Sequence, residues 1–434
     1  MSHRSSPALP PHTPVIVAGL RTPVGTAGHA LAHVEASTLA ATVLTRLVDE
    51  LAELGVGGET GARVDHVVLG NCMGPGGNVA RVATLEAGLG PEVPAVTVDR
   101  QCGSGQEAIH HGAALVALGQ ADLVLAGGVE SASTAPWRVR RPEGGVGLSQ
   151  RGLSQTGVSQ TGDGRTGSRP SARPTGLPAG AEPYARAPFA PPGWPDPDMG
   201  PAAQDVADRF GIDRERQDRY AARSHERTLL CAELIADELV PVGGLTRDER
   251  PRRLSAQVLA RLPGAFTVGG SVTAGNSCGI SDGAAGVAIV PERIRAELGL
   301  SGIALRGWQA TGSDPALPGI GPLPAIRALL ARAEVSLEQI AVLEITEAFA
   351  AQVLACTDAL GLDPLGADAD RVCAWGGAIA LGHPWGASGA LLAVRAFARL
   401  VRRPDPAMRS GWGLVTCAIG GGQGLAMLVE RVGP

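Results

Sequence analysis

Short apolar runs rich in β-branched residues recur along the chain, and several of them end at a glycine. Such runs are typical of strands buried in a sheet. Longer runs rich in alanine and leucine lie between many of them and indicate helices. The alternation predicts a layered α/β fold. The predicted strands are Val15–Ala18, Val67–Leu69, Leu123–Ala126, Val342–Ile345 and Leu414–Cys417, and the predicted helices include Ser37–Leu54, Gln106–Leu118 and Leu323–Ala333.

Two parts of the chain repeat one order of features. Residues 98–118 combine a strand end, a glycine-rich turn with a reactive side chain, and a helix. Residues 379–400 combine a similar turn with a helix. The repeated order predicts an internal duplication. The predicted N-terminal half is residues 12–136 and the predicted C-terminal half is residues 298–434.

The segment between the halves differs from both of them in composition. Residues 142–180 within it are rich in Arg, Gly, Ser, Thr, Pro and Gln. Such a low-complexity composition cannot bury enough apolar surface to order itself, so we expect a mobile surface insertion there. Helices are predicted over Pro201–Phe210 and Arg214–Leu234, and Asp213 is the expected cap of the second.

Composition narrows the class of protein. The 434 residues are 44% hydrophobic and 18% charged, as in a soluble globular protein with one large core or two to three domains. A net charge of −5 and an aromatic content of 3% argue against nucleic-acid binding. We find no segment that would span a lipid bilayer and no apolar signal core in residues 1–14.

The seven cysteines are scattered, and no two of them form a Cys-x-x-Cys pair. Their odd number and irregular spacing disfavour a disulfide framework and a zinc site. We therefore expect no bound metal. We also expect a protein of a reducing compartment, the cytoplasm.

One cysteine occupies a position suited to catalysis. Cys102 follows a β-branched run, and glycines and a helix-like stretch come directly after it. Peptide dipoles and free N–H groups at the start of a helix favour the thiolate, which is the nucleophilic form of cysteine. A buried cysteine in a tight turn is the alternative interpretation of this segment.

Three further segments carry candidate chemistry. His383 lies in a turn of glycine and proline before a helix, where it could act as a general base or as a structural turn residue. Glu347 lies at a strand-to-helix junction, where a helix dipole also favours a carboxylate. Residues 420–422 are consecutive glycines, whose N–H groups could bind an oxyanion or simply form a tight turn.

Taken together, these segments resemble the thiolase family. The resemblance covers nearly the whole chain except its start and residues 138–195. It implies a duplicated α/β thiolase fold of five layers, α-β-α-β-α, with an inserted loop domain. The loop domain would cover residues 137–270, and residues 271–297 would return to complete the N-terminal half. It also implies a homodimer or homotetramer that acts on an acyl-CoA without a permanently bound cofactor. The other matching motifs are Arg21–Gly25, Asn78–Arg81, Gly127–Ser131, Gln217–Asp218, Val272–Asn276, Asp282–Ala285 and Gly319–Pro322.

The resemblance also implies roles for individual residues. Cys102 would be the nucleophile, and His383 would be its base. The backbone N–H groups of Cys102 and Gly420 would hold the thioester oxygen of the acyl-enzyme. The CoA arm would lie along Met199, Ser277 and Cys278, with Phe349 toward the reacting end.

The chain departs from the family at the groups used for enolate chemistry. The family's second catalytic cysteine corresponds to Ala418, whereas a cysteine lies one position earlier at Cys417. Because neighbouring strand side chains point to opposite faces, Cys417 should face away from the site unless a bulge re-aims it. Thr346 replaces the usual asparagine of the enolate oxyanion region. Cys278 lies where a CoA-contacting serine is common.

This pattern favours one function and leaves two alternatives. The leading interpretation is a thiolase-like acyltransferase that forms an acyl-enzyme on Cys102. Its second half-reaction would be modified into an unusual condensation or acyl transfer, as in a biosynthetic pathway. One alternative is a conventional acetyl-CoA C-acetyltransferase or 3-ketoacyl-CoA thiolase. The other is a non-catalytic subunit with the same fold that binds acyl-CoA or serves as a scaffold.

Overall fold

The computed structural model describes residues 9–57, 63–140, 182–184, 186–408 and 410–433. The chain divides into two compact units, residues 136–188 and the remainder of the chain. The predicted insertion over residues 142–180 lies outside the described residues. In the smaller unit, strand β6 (Val139–Arg140) pairs antiparallel with strand β7 (Glu182–Pro183).

The larger unit contains the remaining strands and the helices. Its strands are β1 (Pro14–Arg21), β2 (Gly25–Thr26), β3 (His66–Gly70), β4 (Ala95–Val98), β5 (Val124–Ser131), β8 (Ser281–Pro291), β9 (Gly302–Gly312), β10 (Ile340–Ile345), β11 (Trp412–Ile419) and β12 (Gln423–Val432). Its helices are α1 (Ala36–Glu53), α2 (Val79–Glu86), α3 (Ser104–Ala117), α4 (Met199–Phe210), α5 (Arg214–Leu230), α6 (Ala232–Ile235), α7 (Ala256–Ala260), α8 (Glu292–Glu297), α9 (Pro322–Ala333), α10 (Ala350–Ala359), α11 (Ala378–Leu381) and α12 (Trp385–Phe397). Short 3₁₀ turns cover Ala236–Glu238, Pro318–Ile320 and Leu337–Gln339, and a π-helical turn covers Ala398–Arg402.

The sheet topology shows the duplication. The strand order is β10-β11-β12-β9-β1-β8-β5-β3-β4, and β2 pairs with β8 at one side. The sets β1-β8-β5-β3 and β9-β12-β11-β10 have the same sequence of antiparallel, antiparallel and parallel pairings. A short pairing of Val15 and Ile16 with β9 joins the two sets.

Three apolar cores separate the layers. Leu44 and the rest of the buried face of α1 pack on the outer side of the N-terminal strands. Ile109 of α3 and Ala393 of α12 belong to a central core that both sets of strands share. Leu329 of α9 and Leu354 of α10 pack on the outer side of the C-terminal strands. The order is therefore helix, sheet, helix, sheet, helix, as expected for the duplicated α/β thiolase fold.

The two central helices touch each other through glycines. A Cβ added at Gly389 of α12 would lie 2.6 Å from the backbone nitrogen of Gln106 of α3. A Cβ added at Gly105 would lie 2.8 Å from the backbone oxygen of Gly386. The backbones can approach this closely only because the side chains are absent. The approach brings together the starts of α3 and α12, and Cys102 and His383 each lie two residues before one of these starts.

A buried ion network ties the far end of α12 to β1. Nε of Arg21 lies 2.8 Å from the carboxylate of Glu238, and its two Nη atoms lie 2.7 and 2.9 Å from Asp248. Nε of Arg395 lies 2.5 Å from the other oxygen of Glu238. Burial opposes ionisation of Glu238, yet the guanidinium groups of Arg395 and Arg21 lower its pKa. The charges are thus paired, as buried charges must be.

The predicted helix over Arg214–Leu234 is wrong at its C-terminal end. Helix α5 ends at Leu230, Cys231 leaves helical geometry, and a separate short helix begins at Ala232. The change of direction lets Ile235 bury itself beside Trp375, a tertiary contact that outweighs continued helix propensity. The predicted cap is correct, because the Asp213 carboxylate accepts the N–H of Arg216 at 2.7 Å.

Candidate active site

Cys102 lies in a tight turn between β4 and α3. Gln101, directly before it, has a φ of +46°, a left-handed conformation that costs a non-glycine residue about 1 kcal/mol or more. Several hydrogen bonds hold this turn. The Gln101 N–H donates to Asp99 at 2.8 Å, and the Gln101 carbonyl accepts the Ser104 hydroxyl at 2.6 Å and the Cys72 thiol at 3.0 Å. Hydrogen bonds before and after Cys102 in the chain therefore hold its position.

The thiol of Cys102 is protonated in the resting protein. Cys102 keeps partial solvent access, but the surrounding protein desolvates its sulfur and raises its pKa to about 12. Hydrogen bonds from the backbone N–H groups of Gly420 and of Cys102 itself lower the pKa without compensating for this burial. The backbone N–H groups thus favour the thiolate, as the sequence predicts, but desolvation has the larger effect on the pKa. Reaction at Cys102 requires a base.

His383 has the form that a base requires. Its imidazole is 2% exposed, and desolvation lowers its pKa to about 4, so it is neutral near pH 7. The Ser388 hydroxyl donates to the Pro384 carbonyl at 2.9 Å and lies 2.6 Å from Nδ1. A Ser388 hydroxyl that donates to Pro384 accepts the proton of Nδ1, and in that tautomer Nε2 carries the free lone pair. Nε2 has no hydrogen-bond partner among the described residues.

A short extended segment connects the His383 turn to the other predicted site residues. The N–H of His383 donates to the Gly279 carbonyl at 2.8 Å, and the N–H of Cys278 donates to the Ala348 carbonyl at 2.9 Å. Ser277 pairs with Phe349 in an isolated bridge. A negative charge on Cys102 would raise the pKa of the Cys278 thiol, so the two sulfurs lie near each other. The structure thus gathers Cys102, Cys278 and Phe349 around the His383 turn.

The glycine turn after β11 lies against the Cys102 turn. Gly421 and Gly422 have φ values of +83° and +74°, which favour glycine. A Cβ added at Gly103 would lie 2.6 Å from the side chain of Ile419. This close packing places the Gly420 N–H at the sulfur of Cys102, where a backbone donor can stabilise negative charge.

Cys417 lies inside the central core. The ladder between β11 and β12 runs in register through Cys417 without a bulge. The side chain of Cys417 is fully buried in the same core as Val415 and Ile419, whereas Ala418 is partly exposed. Burial raises the pKa of the Cys417 thiol to about 12.

The hydroxyl of Thr346 is used by Cys417. Thr346 is buried at the end of β10, and its N–H donates to the Thr416 carbonyl at 3.1 Å. Its Oγ1 lies 3.1 Å from Sγ of Cys417 and donates to it. A small cavity borders Thr346 and Ser388. In this arrangement the hydroxyl proton of Thr346 points to a core sulfur and not to a substrate oxygen.

The residues predicted to contact CoA differ in polarity and in whether their polar groups are still available for hydrogen bonds. Phe349 meets Phe266 edge to face, with ring centroids 6.0 Å apart, and the Phe266 ring covers Gly200 next to Met199. These side chains form an apolar wall. Ser277 is buried, and its hydroxyl donates to the Thr273 carbonyl at 2.7 Å. Its hydroxyl proton is therefore already used within the protein.

Two carboxylates hold the site together. Glu130 accepts hydrogen bonds from the backbone N–H groups of Cys72, Met73 and Gly386 at 3.2, 3.0 and 3.0 Å. It thereby fixes the start of α12 against the loop after β3. Sequence reasoning assigned Glu130 no role, although it lies in a glycine-rich motif at the end of a strand, where a charged residue needs partners.

Glu347, a candidate functional residue in the sequence, is surrounded by protein groups that hydrogen-bond to its carboxylate. It is fully buried and accepts the hydroxyl groups of Tyr220 at 2.8 Å and Ser224 at 2.6 Å. Burial raises its pKa despite these hydrogen bonds. The carboxylate anchors helix α5 to the junction that precedes Phe349.

Two kinds of feature, a metal-binding cluster and a membrane-spanning helix, are absent among the described residues. They contain no group of three or more His, Cys, Asp or Glu side chains placed to hold a metal ion. No helix within the described ranges is both long enough and apolar enough to cross a membrane.

Comparison with protein families matches nearly the whole chain to two related models. Residues 14–161 and 194–293 match the model described as "Thiolase, N-terminal domain". Residues 300–431 match the model described as "Thiolase, C-terminal domain".

Individual proteins and a solved structure show the same similarity. A Staphylococcus aureus protein named "Putative acetyl-CoA C-acetyltransferase VraB" is 38% identical over 96% of this chain and 99% of its own length. A Staphylococcus haemolyticus protein of the same name is 39% identical over 96% of this chain and 98% of its own length. The crystal structure of the Bacillus anthracis acetyl-CoA acetyltransferase has a TM-score of 0.79 and 33% identity, over 98% of this chain and all of that chain.

Proposed function

Because the chain belongs to the thiolase family, we propose that it forms an acyl-enzyme on Cys102 and completes its reaction by a modified second half-reaction. As a member of this family the protein is an acyltransferase. The observation that carries the proposal is the backbone N–H of Gly420 at the sulfur of Cys102. A pure scaffold subunit would have no need of this arrangement beside a free imidazole lone pair.

The first half-reaction follows from the two side chains. Nε2 of His383 takes the thiol proton of Cys102, and the sulfur attacks the carbonyl carbon of the acyl-CoA. A C–S bond to Cys102 forms, the C–S bond to CoA breaks, and the imidazolium returns its proton to the departing CoA sulfur. The neutral, desolvated imidazole can serve as the acceptor because its Nδ1 proton is held by Ser388.

The oxygen of the thioester needs donors as it gains negative charge. The backbone N–H groups of Gly420 and Cys102 are the proposed donors, and both already point at the region of the sulfur. Removing one donor of this kind typically costs about 10²–10³ in rate. Backbone donors also require no reorganisation, since the Gly103 turn and the end of β11 are packed together.

The proposal of a modified second half-reaction rests on Ala418 and Thr346. Alanine cannot carry a proton, and the neighbouring Cys417 thiol lies in the central core. The Thr346 hydroxyl donates to that thiol. The groups for enolate chemistry in the family thus have no equivalent at these two positions. An unusual condensation or a transfer to another acceptor is the expected consequence.

The acyl-enzyme can be observed directly. The intact protein should gain one acyl group when incubated with acetyl-CoA, and the Cys102→Ala variant should gain none. The Cys231→Ser variant is the matched control, because Cys231 lies in a separate apolar cluster with Ile235 and should leave the adduct intact. Absence of an adduct on the wild-type protein would refute the proposal.

A conventional acetyl-CoA C-acetyltransferase is the second candidate, favoured by the names of the relatives. The two candidates differ in thiolysis of acetoacetyl-CoA by CoA. A conventional enzyme would perform it rapidly, whereas the proposed one would form the adduct but carry out thiolysis slowly or not at all. Rapid thiolysis by the wild-type protein would therefore support the conventional function.

The proposal includes substrate and assembly. CoA is expected to lie along Met199, Ser277 and Cys278, next to the apolar wall formed with Phe349.

We also propose a homodimer or homotetramer. In support, β4 forms an edge of the sheet within the described residues and exposes Val96, and such an edge can pair with another chain. A cytoplasmic location suits a catalytic thiol, which must stay reduced.

A further inference from the structure

Carbon–carbon bond formation by an acyl-enzyme needs a group that moves a proton at the α-carbon of the second acyl-CoA. Among the groups near Cys102, Ala418 has no proton to exchange, and the Cys417 thiol is buried in the central core with Thr346 as its donor. The Cys72 thiol donates to the Gln101 carbonyl at 3.0 Å behind the nucleophile turn. None of these side chains is placed as a proton carrier for a substrate.

Cys278 differs from these groups in its location. Its backbone N–H donates to the Ala348 carbonyl, and the next residue, Gly279, accepts the N–H of His383 at 2.8 Å. Cys278 therefore lies on the short extended segment of residues 277–279, between Phe349 and the turn that contains His383. This segment is called the strap below. It is also partly exposed, so a substrate can reach it.

The surroundings of Cys278 act on its thiol in opposite directions. Burial raises the pKa of the thiol to about 12. The guanidinium of Arg250, which packs over Gly279, favours the Cys278 thiolate. The thiol therefore needs a base, and the unpartnered Nε2 of His383 lies in the turn that the Gly279 carbonyl holds.

We propose that Cys278 is the proton carrier at the α-carbon in the second half-reaction, in place of the residue lost at position 418. This inference rests on the proposed acyl-enzyme. It gives Cys278 a catalytic task beyond contact with CoA. A serine at this position could make the contact but could not exchange a carbon-bound proton, since its hydroxyl is a far weaker acid than a thiol.

The step balances within the residues of the site. Nε2 of His383 takes the thiol proton of Cys278, and the resulting thiolate takes the α-proton of the second acyl-CoA. The electron pair of the broken C–H bond forms the new C–C bond to the acyl carbon, and the C–S bond to Cys102 breaks. The Cys102 sulfur leaves as a thiolate and receives the proton from His383. All three residues return to their starting forms, and no external oxidant or acid is needed.

Exchange of the α-protons of acetyl-CoA with D₂O measures this proton transfer separately from acylation. Both rates are measured at saturating acetyl-CoA for the wild type, Cys278→Ser and Cys278→Ala. We expect α-exchange in both variants to fall at least about tenfold further than acylation does, because general acid–base groups contribute about 10²–10⁴ in rate. Cys231→Ser, outside the site, should retain both rates.

The outcomes separate the inference from the function on which it rests. If the serine variant restores the exchange that the alanine variant loses, or if exchange falls only in proportion to acylation, Cys278 merely contacts CoA and the inference is wrong. A wild-type protein that forms the adduct without any α-exchange also overturns it. A wild-type protein that forms no adduct refutes the acyl-enzyme proposal itself.

Discussion

At the scale of single residues, desolvation has the largest effect on the pKa values of Cys102 and His383. The same burial that raises the pKa of Cys102 to about 12 lowers that of His383 to about 4. Both residues are therefore neutral near pH 7, and an ion pair is not the resting state. In the proposed reaction, the thiol proton of Cys102 therefore moves to His383 only when the acyl-CoA is bound. The orientation of the imidazole then decides the rate, because only one of its nitrogens has a free lone pair.

Replacement of Ser388 tests this orientation. In Ser388→Ala the Nδ1 proton of His383 loses its acceptor, and the tautomer with a basic Nε2 is no longer favoured. We expect acylation of Cys102 to slow by about tenfold or more, with little change in the KM for acetyl-CoA. Rapid-quench mass spectrometry of the adduct measures this rate.

A double variant provides the control for Ser388. Because the serine acts through the histidine, Ser388→Ala should cause no further loss in a protein that already carries His383→Gln. Additive losses in the double variant, or an unchanged rate in the single one, would show that Ser388 does not orient the imidazole.

At the scale of elements, the two central helices position the site. Helices α3 and α12 meet through Gly105 and Gly389, and each helix begins two residues after one of the two proposed catalytic residues. Glu130 then holds the first turn of α12 through the N–H of Gly386 at 3.0 Å. Packing of the two helices and hydrogen bonding within the turns thus both contribute to the placement of Cys102 and His383.

Gly389→Ala should disturb that packing. The added Cβ would lie 2.6 Å from the backbone nitrogen of Gln106, so the helices must separate. Overpacking typically costs about 1–3 kcal/mol, which exceeds the gain of about 1 kcal/mol that alanine brings to a helix. We expect a lower thermal midpoint together with slower acylation of Cys102.

Gly312 offers the matched control. It lies at the end of β9, and a Cβ there would meet no atom within 4 Å. Gly312→Ala should leave the thermal midpoint and the acylation rate close to those of the wild type. A Gly389→Ala protein that matches this control in both measurements would contradict the packing argument.

At the scale of the whole molecule, buried polar groups link stability to pH. His383 and His225 have pKa values lowered to about 4, mainly by desolvation, and desolvation also lowers the pKa of His110. The unfolded chain, with an ordinary histidine pKa near 6.5, binds these protons more readily than the folded protein. Stability is therefore full above about pH 6.5 and is lost as the pH falls toward about 4.

The contribution of His383 can be isolated. For a shift of this size, linkage gives a loss on the order of 3 kcal/mol from one buried histidine. Urea unfolding at several values between about pH 7 and about pH 4 should show a smaller loss for His383→Gln than for the wild type. His29→Gln alters an exposed side chain and should keep the wild-type slope. Identical slopes in all three proteins would disprove the assignment.

Much of the fold follows from local patterns in the sequence. The predicted strand Val342–Ile345 lies within β10, and the predicted helix Leu323–Ala333 differs from α9 by one residue at its start. Such elements depend on periodicity and on nearby turn residues, which are present in the sequence. The prediction for Arg214–Leu234 was wrong at its end because Ile235 packs against Trp375, a residue distant in the chain.

The sequence by itself determined the layered α/β architecture, the duplication and the motifs that carry the family resemblance. Only the tertiary structure decided the desolvation of Cys102 and His383 and the hydrogen-bond partners of Glu347. It also decided that Cys278 lies on the strap that joins the His383 turn to Phe349. The physical reason is that periodicity and turn chemistry act between neighbours in the chain. Desolvation and hydrogen bonding depend on which distant segments pack together.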